Sequence, residues 1–119
     1  MSELNKGWIG VDLDGTLAEM DKDCSLEHIG KPIPKMVKRV QDWVNNGYTV
    51  KIFTARASGD FGVYAIKFVK KWCIEHVGYE LEVVCAKDYA MIELWDDRAI
   101  GVGHNTGEIM SGSSSLSKD

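Results

Sequence analysis

The sequence predicts an α/β protein, a three-layer sandwich around a mostly parallel sheet, and three observations carry that prediction. Short runs rich in apolar, β-branched and aromatic residues alternate with two segments of helical periodicity. Each of the first four strand-like runs ends in residues able to do chemistry. Helix-length connections between successive runs imply right-handed crossovers, and these set neighbouring strands parallel.

The 119 residues are enough for one domain with its own core, expected over residues 1–110. A hydrophobic content of 45% with 27% charged residues is ordinary for a globular protein. The net charge of -4 argues against a chain whose main task is gripping a nucleic-acid backbone. Met1 to Lys6 is polar with no apolar leader, and no apolar run approaches the roughly 20 residues that span a bilayer. A cytoplasmic protein without a membrane partner is therefore expected. Cys24, Cys73 and Cys85 form no CxxC pair and read as free thiols, two of them in core-like positions.

The first strand is Trp8 to Val11, and it runs into Asp12 and Asp14, spaced i, i+2, and a Gly15-Thr16 turn. In extended chain that spacing puts both carboxylates on one side, where they repel unless a cation lies between them. Ala18 to Ile33 has no clear period and reads as a loop or small hairpin over the strand ends. Pro34 suits the first turn of a helix running to about Asn46, with Met36, Val37, Val40, Trp43 and Val44 on one face and Gly47 as its stop.

Tyr48 to Phe53 is the second strand, interrupted only by Lys51, and the polar loop Thr54 to Gly59 follows. A second helix, Phe61 to His76, spaces Ile66, Val69, Cys73 and Val77 along one face, and Gly78 closes it. Leu81 to Cys85 is a third strand, followed by Lys87-Asp88. Met91 to Trp95 is a fourth, although Glu93 is awkward in a sheet covered on both faces, and Asp96-Asp97-Arg98 follow it. Ala99 to Val102 reads as a fifth strand and Gly107 to Met110 as a short hairpin arm. Residues 111–119 are too polar to bury and read as a flexible tail.

Parallel strands bring all four ends to one edge. Asp12, Asp14, Asp96 and Asp97 would then share a crevice with the Thr54 hydroxyl and the Lys87 ammonium, a set of donors suited to Mg²⁺ beside a phosphate. Taken singly, each residue has a plainer reading: a turn and cap pair for Asp12 and Asp14, a helix N-cap for Thr54, a solvated lysine for Lys87. Their order and placement at successive strand ends is what gives the set its weight.

The Asp12-to-Thr16 DxDGT run, the apolar strand ending in Thr54, Lys87, and the strand ending in Asp96-Asp97 resemble the haloacid dehalogenase (HAD) superfamily of phosphotransferases. Phe53-Thr54-Ala55-Arg56 and Trp95-Asp96-Asp97-Arg98-Ala99 look most like its short, uncapped phage and bacterial members. The resemblance spans Trp8 to Val102. It implies a Rossmann-like fold and a Mg²⁺-dependent phosphatase that works through an aspartyl-phosphate. Asp12 would be the nucleophile and Asp14 the general acid and base. Thr54 would hydrogen-bond the phosphoryl group and Lys87 would neutralise charge. Mg²⁺ would be held by the Asp12 and Asp96 side chains and the Asp14 carbonyl, with Asp97 in direct or water-mediated support.

The 16 residues between Leu17 and Pro34 and the 8 between Lys87 and Asp96 are too few for a cap domain. An open site implies a large substrate, such as a nucleic-acid end, or a neighbouring subunit of a homo-oligomer as lid. Nucleotides, nucleic-acid 3′ or 5′ phosphates and sugar phosphates all stay open, with a faint likeness to the phosphatase part of polynucleotide kinases favouring the first two. Two alternatives stand beside the hydrolase. One is a catalytically quiet domain binding Mg²⁺ and a phosphorylated ligand or protein. The other is a glycosyltransferase with a metal-binding DxD, which would leave Thr54, Lys87 and the Asp96-Asp97 pair as coincidences. Arg56 and Arg98 are placed outside the catalytic set, as substrate contacts or surface ion pairs. His28, His76 and His104 read as structural or surface residues.

Overall fold

A computed structural model describes residues 7–22 and 25–111. Met1 to Lys6, Cys24 and residues 112–119 lie outside the described residues, and with them most of the expected tail. The chain forms β1 (Trp8–Asp12), α1 (Pro34–Asn45), β2 (Thr49–Phe53), α2 (Gly62–His76), β3 (Glu82–Val84), β4 (Met91–Trp95), β5 (Gly101–Val102) and β6 (Ile109–Ser111). A 3₁₀ turn at Ala55–Ala57 separates β2 from α2.

Strands β3-β2-β1-β4 make one sheet, every pairing parallel. The α/β class, the parallel sheet and the lack of an inserted cap are as the sequence predicts, but both helices share one face, so the expected third layer is a connection and not a helix. The register Ile9↔Val50, Val11↔Ile52 and Ile52↔Val83 aligns the apolar side chains of three strands on one face. Both helices pack there: Met36, Val37 and Val40 of α1 and Val69, Trp72 and Cys73 of α2 join Ile9, Val11, Val50, Ile52 and Val83 in one core. Moving from β1 to β2 to β3 in one direction with right-handed crossovers requires this shared face. Gln41 on α1 donates to the Val77 carbonyl at the end of α2 at 2.9 Å, joining the two helices side by side.

The opposite face is covered thinly, by the connection from β3 to β4. Trp8, only 3% exposed, donates its indole N–H to Asp88 at 2.8 Å, and the Lys51 ammonium lies 4.8 Å from its ring centre. That contact explains how a lysine is tolerated within β2, and its ammonium also reaches Glu82 at 3.6 Å.

Local chemistry accounts for the element ends. Pro34 opens α1 with a fixed φ and no amide to satisfy, and Gly47 ends it at φ +90°. Glu93 fits because β4 is an edge strand. It is exposed and accepts the Trp95 indole N–H at 3.1 Å. The buried face of α2 is rotated toward Ala65, Val69, Trp72 and Cys73, leaving Ile66 only partly buried. Cys73 is buried, and burial pushes its thiol up to about 12, whereas β3 stops at Val84 and leaves Cys85 exposed, not in the core. The expected fifth strand shortens to Gly101–Val102 and pairs antiparallel with β6, apart from the main sheet. Ser111 therefore belongs to a strand and not to the tail. Among the described residues no helix is long and apolar enough to cross a membrane.

Ile52 is fully buried in β2 between both helices and the sheet. Ile52→Ala should cost about 2–5 kcal/mol, read as a lowered urea midpoint with little change in slope.

Candidate functional site

The strand order creates a split. From β1 the chain moves outward through β2 and β3, then returns to the far side of β1 as β4. The carboxyl ends of β1 and β4 therefore diverge into different connections, the position at which open α/β sheets form a crevice.

The turn after β1 is built on one carbonyl. Leu13 O accepts from the amides of Thr16, Leu17 and Ala18 at 3.2, 3.0 and 2.9 Å, while Leu13 and Leu17 are both fully buried. This plants the turn in the core and holds Asp12, Asp14 and Thr16 at the rim. Gly15 is obligatory by two criteria. Its φ is +93°, and a Cβ there would stand 2.6 Å from Asp97 Oδ2.

Thr16 links the two sides of the split. Its hydroxyl lies 3.3 Å from Asp12 Oδ2 and 3.2 Å from Asp97 Oδ1, and it accepts the Asp97 amide at 3.0 Å. The sequence reading assigns Thr16 no role. The only signal available in the sequence was its place in the DxDGT run, since its partner Asp97 lies 81 residues away.

Asp12, Asp96 and Asp97 each offer a carboxylate oxygen, all within 4.8 Å of one another. Asp12 is pushed up to about 7 by burial first, then by its hydrogen bond to Asp97 and the charges of Asp96 and Asp97, with Thr16 opposing. Three hard oxygen donors brought this close are of the type that a small divalent cation takes as ligands. Asp96 Oδ1 also accepts the Arg98 amide at 2.7 Å, which orients that carboxylate.

The Asp14 side chain goes elsewhere. Because the turn begins at Leu13, the extended geometry that would align it with Asp12 ends there. Arg56 Nε and Nη2 grip its two oxygens at 2.8 and 2.9 Å, with side-chain exposures of 10% and 18% for the pair. Arg56 is thus in a largely buried ion pair, not a surface one. Thr54 is 3% exposed and caps the 3₁₀ turn by accepting the Arg56 amide at 3.2 Å. That bond uses one of its two lone pairs and leaves the hydroxyl proton to donate.

Asp12, Asp14, Thr54 and Asp96 line one cleft of about 290 Å³ together with Met20, Phe53, Ala55, Arg56 and Arg98. Lys87 does not join them. It is exposed and borders a different cavity, formed with Asp88, Tyr89 and residues 91–94. The reason is the path of the β3–β4 connection: just past Lys87, Asp88 and Ala90 accept from the indole and amide of Trp8 at the amino-terminal end of β1, whereas Asp12 stands at the carboxyl end. Arg98, the basic residue lining the cleft beside Arg56, was visible in the sequence but indistinguishable there from a surface charge. The histidines stand apart from the cleft, His28 pairing with Asp21 at 3.0 Å and His76 stacking near Trp72.

No protein-family model matches the chain, and neither does any curated protein. A solved structure of a conserved protein coded by a locus of Bacteroides thetaiotaomicron is similar in fold, with a TM-score of 0.57 and 22% identity over 82% of each chain. That likeness concerns the α/β architecture alone.

Two outcomes follow from the geometry. Gly15→Ala combines a strained φ with a clash on Asp97 and should cost about 1–3 kcal/mol, measured by urea unfolding. The second concerns pH. Asp12 releases its proton near pH 4 when unfolded and near 7 when folded, so the folded state holds more protons in between and stability falls as pH rises across that window. Chelator-treated protein should lose on the order of 2 kcal/mol between pH 4 and 7, after allowance for solvent screening, relative to Asp12→Asn. Parallel pH-stability curves for the two proteins would refute this.

Proposed function

We propose that this chain is a Mg²⁺-dependent phosphomonoester hydrolase that works through an aspartyl-phosphate on Asp12. The observation that carries the reading is the convergence of Asp12, Asp96 and Asp97 within 4.8 Å at the split of a parallel sheet, with Thr54 and Asp14 on the same cleft. The resemblance of the Asp12-to-Thr16, Thr54 and Asp96-Asp97 segments to the HAD superfamily supports it.

Asp12, Asp96 and Asp97 would hold the ion. When bound it supplies charge neutralisation for the transferring phosphoryl group. An Asp12 carboxylate oxygen attacks phosphorus, the bond from phosphorus to the ester oxygen breaks, and that oxygen takes a proton. Water then attacks the phosphorus of the aspartyl-phosphate, releasing inorganic phosphate and restoring the Asp12 carboxylate. Thr54 donates its hydroxyl proton to a phosphoryl oxygen. Asp14 carries the proton to the leaving oxygen and takes one from water. Arg98 shares the cleft and is the better-situated cation for the charge-balancing role that the resemblance gives Lys87, since Lys87 borders another cavity.

The cleft is open, which suits a phosphate on a nucleotide or nucleic-acid end, or a lid lent by a second copy in a homo-oligomer. A catalytically quiet domain binding Mg²⁺ and a phosphorylated ligand or protein is the second reading. It is favoured by one specific feature, the engagement of both Asp14 oxygens by Arg56.

Hydrolysis of p-nitrophenyl phosphate and a panel of phosphate esters separates the readings. Turnover should require Mg²⁺, disappear with EDTA, and fall by at least about 100-fold in Asp12→Asn. Equal turnover in all three conditions would remove the proposed mechanism, and Mg²⁺-dependent phosphate binding without turnover would favour the quiet domain.

A further inference from the structure

We propose that Arg56 is a positioning residue: it sets the direction of the Asp14 carboxylate and ties it to the 25–28 loop, an inference that rests on the hydrolase reading above. A guanidinium has five N–H donors in a planar fork. Four are spent here: Nε and Nη2 on the two Asp14 oxygens, the second Nη2 hydrogen on His28 O at 3.0 Å, and Nη1 on Ser25 O at 2.9 Å. With a side chain only 10% exposed, Arg56 has little left to offer a substrate. A residue waiting to clamp a phosphate would keep its fork open toward the cleft.

The partners explain what the tie achieves. Asp14 is gripped at both oxygens, which fixes its rotation, yet each oxygen keeps lone pairs beyond the one that Arg56 uses. The carboxylate therefore faces the cleft in one orientation, with capacity to accept a proton from water or present one to a leaving oxygen. Ser25 and His28 belong to the 18–33 loop, which is pinched at its base by Glu19 N to Lys31 O at 2.7 Å and Ile33 N to Leu17 O at 2.8 Å. The same loop carries Met20 into the cleft wall. Its far side is held at Gly30 O by the Trp72 indole and at Glu27 by the Tyr64 hydroxyl, at 3.0 and 2.6 Å. Those two anchors lie on α2; the base of the loop meets Asp14 through the backbone bridge from Ala18, and Arg56 joins the 25–28 stretch to the Asp14 carboxylate. In a site without a cap, this connection makes the loop wall and Asp14 one unit.

The test compares wild type with Arg56→Ala and Arg56→Lys, each checked for folding by circular dichroism. With Mg²⁺ and p-nitrophenyl phosphate, Arg56→Ala should lower kcat about 10- to 100-fold with KM within about threefold of wild type. Guanidinium at ~20 mM, far below denaturing levels, should restore about fivefold or more of the loss. Lysine, lacking the planar fork, should not restore it; if alanine does not fold, Arg56→Lys carries the same kcat and KM comparison. Amide exchange without metal needs no turnover: residues 25–33 should exchange about tenfold faster in either variant while β1 stays protected. A KM increase above about tenfold with kcat intact would make Arg56 a substrate clamp and overturn the proposal. So would unchanged loop exchange, whatever the activity. Absence of turnover in wild type would instead count against the hydrolase reading, and loop exchange would still judge the tie.

Discussion

Three carboxylates share a space that none of them would choose. Asp12, Asp96 and Asp97 approach within 4.8 Å at the place where β1 and β4 part, and burial first, then the hydrogen bond to Asp97 and the two neighbouring charges, push Asp12 up to about 7. Such crowding is electrostatically costly, and a turn of different residues would have spread the charges apart. The fold invests instead in holding them together. Gly15 bends to admit Asp97, Thr16 bridges Asp97 and Asp12, and Leu13 and Leu17 fasten the turn into the core. On the proposed reading, the cost is released when a divalent ion and a phosphate arrive together.

This arrangement depends on long-range topology more than on any local segment. β1 is central because β2 pairs on one side and β4 on the other, and only that order places the end of β4 against the DxDGT turn. Both helices pack on one face of the sheet, so the strand ends are reached from an uncluttered edge. The other face relies on Trp8, Lys51 and Asp88, a compact polar and aromatic contact in place of a helix.

The cleft has no inserted domain over it, and the loop after β1 contributes Met20 to its wall. Arg56 makes that wall part of the site by joining Ser25, His28 and Asp14. Asp12 and Asp14, two residues apart in the chain, thereby enter different electrostatic settings, one among like charges and the other on a guanidinium. Two carboxylates held in such different surroundings are suited to the separate roles of nucleophile and proton carrier on the proposed mechanism.

The elements were legible from the sequence because each obeys a local rule. Pro34 and Gly47 bracket α1, the apolar faces of both helices follow helical spacing, and β1, β2 and β4 are short apolar runs ending in polar residues. Asp12, Thr54 and Asp96 were legible as candidates for the same reason, since parallel strands send their ends to one edge. Strand order was not, and it decided the rest. It made β4 an edge that tolerates Glu93 and left β5 to pair with β6, while the path of the β3–β4 connection took Lys87 to another cavity. Arg56 and Thr16 acquired their partners only in three dimensions, because the reach of a side chain across 42 or 81 residues is set by packing and leaves no periodic trace in the chain.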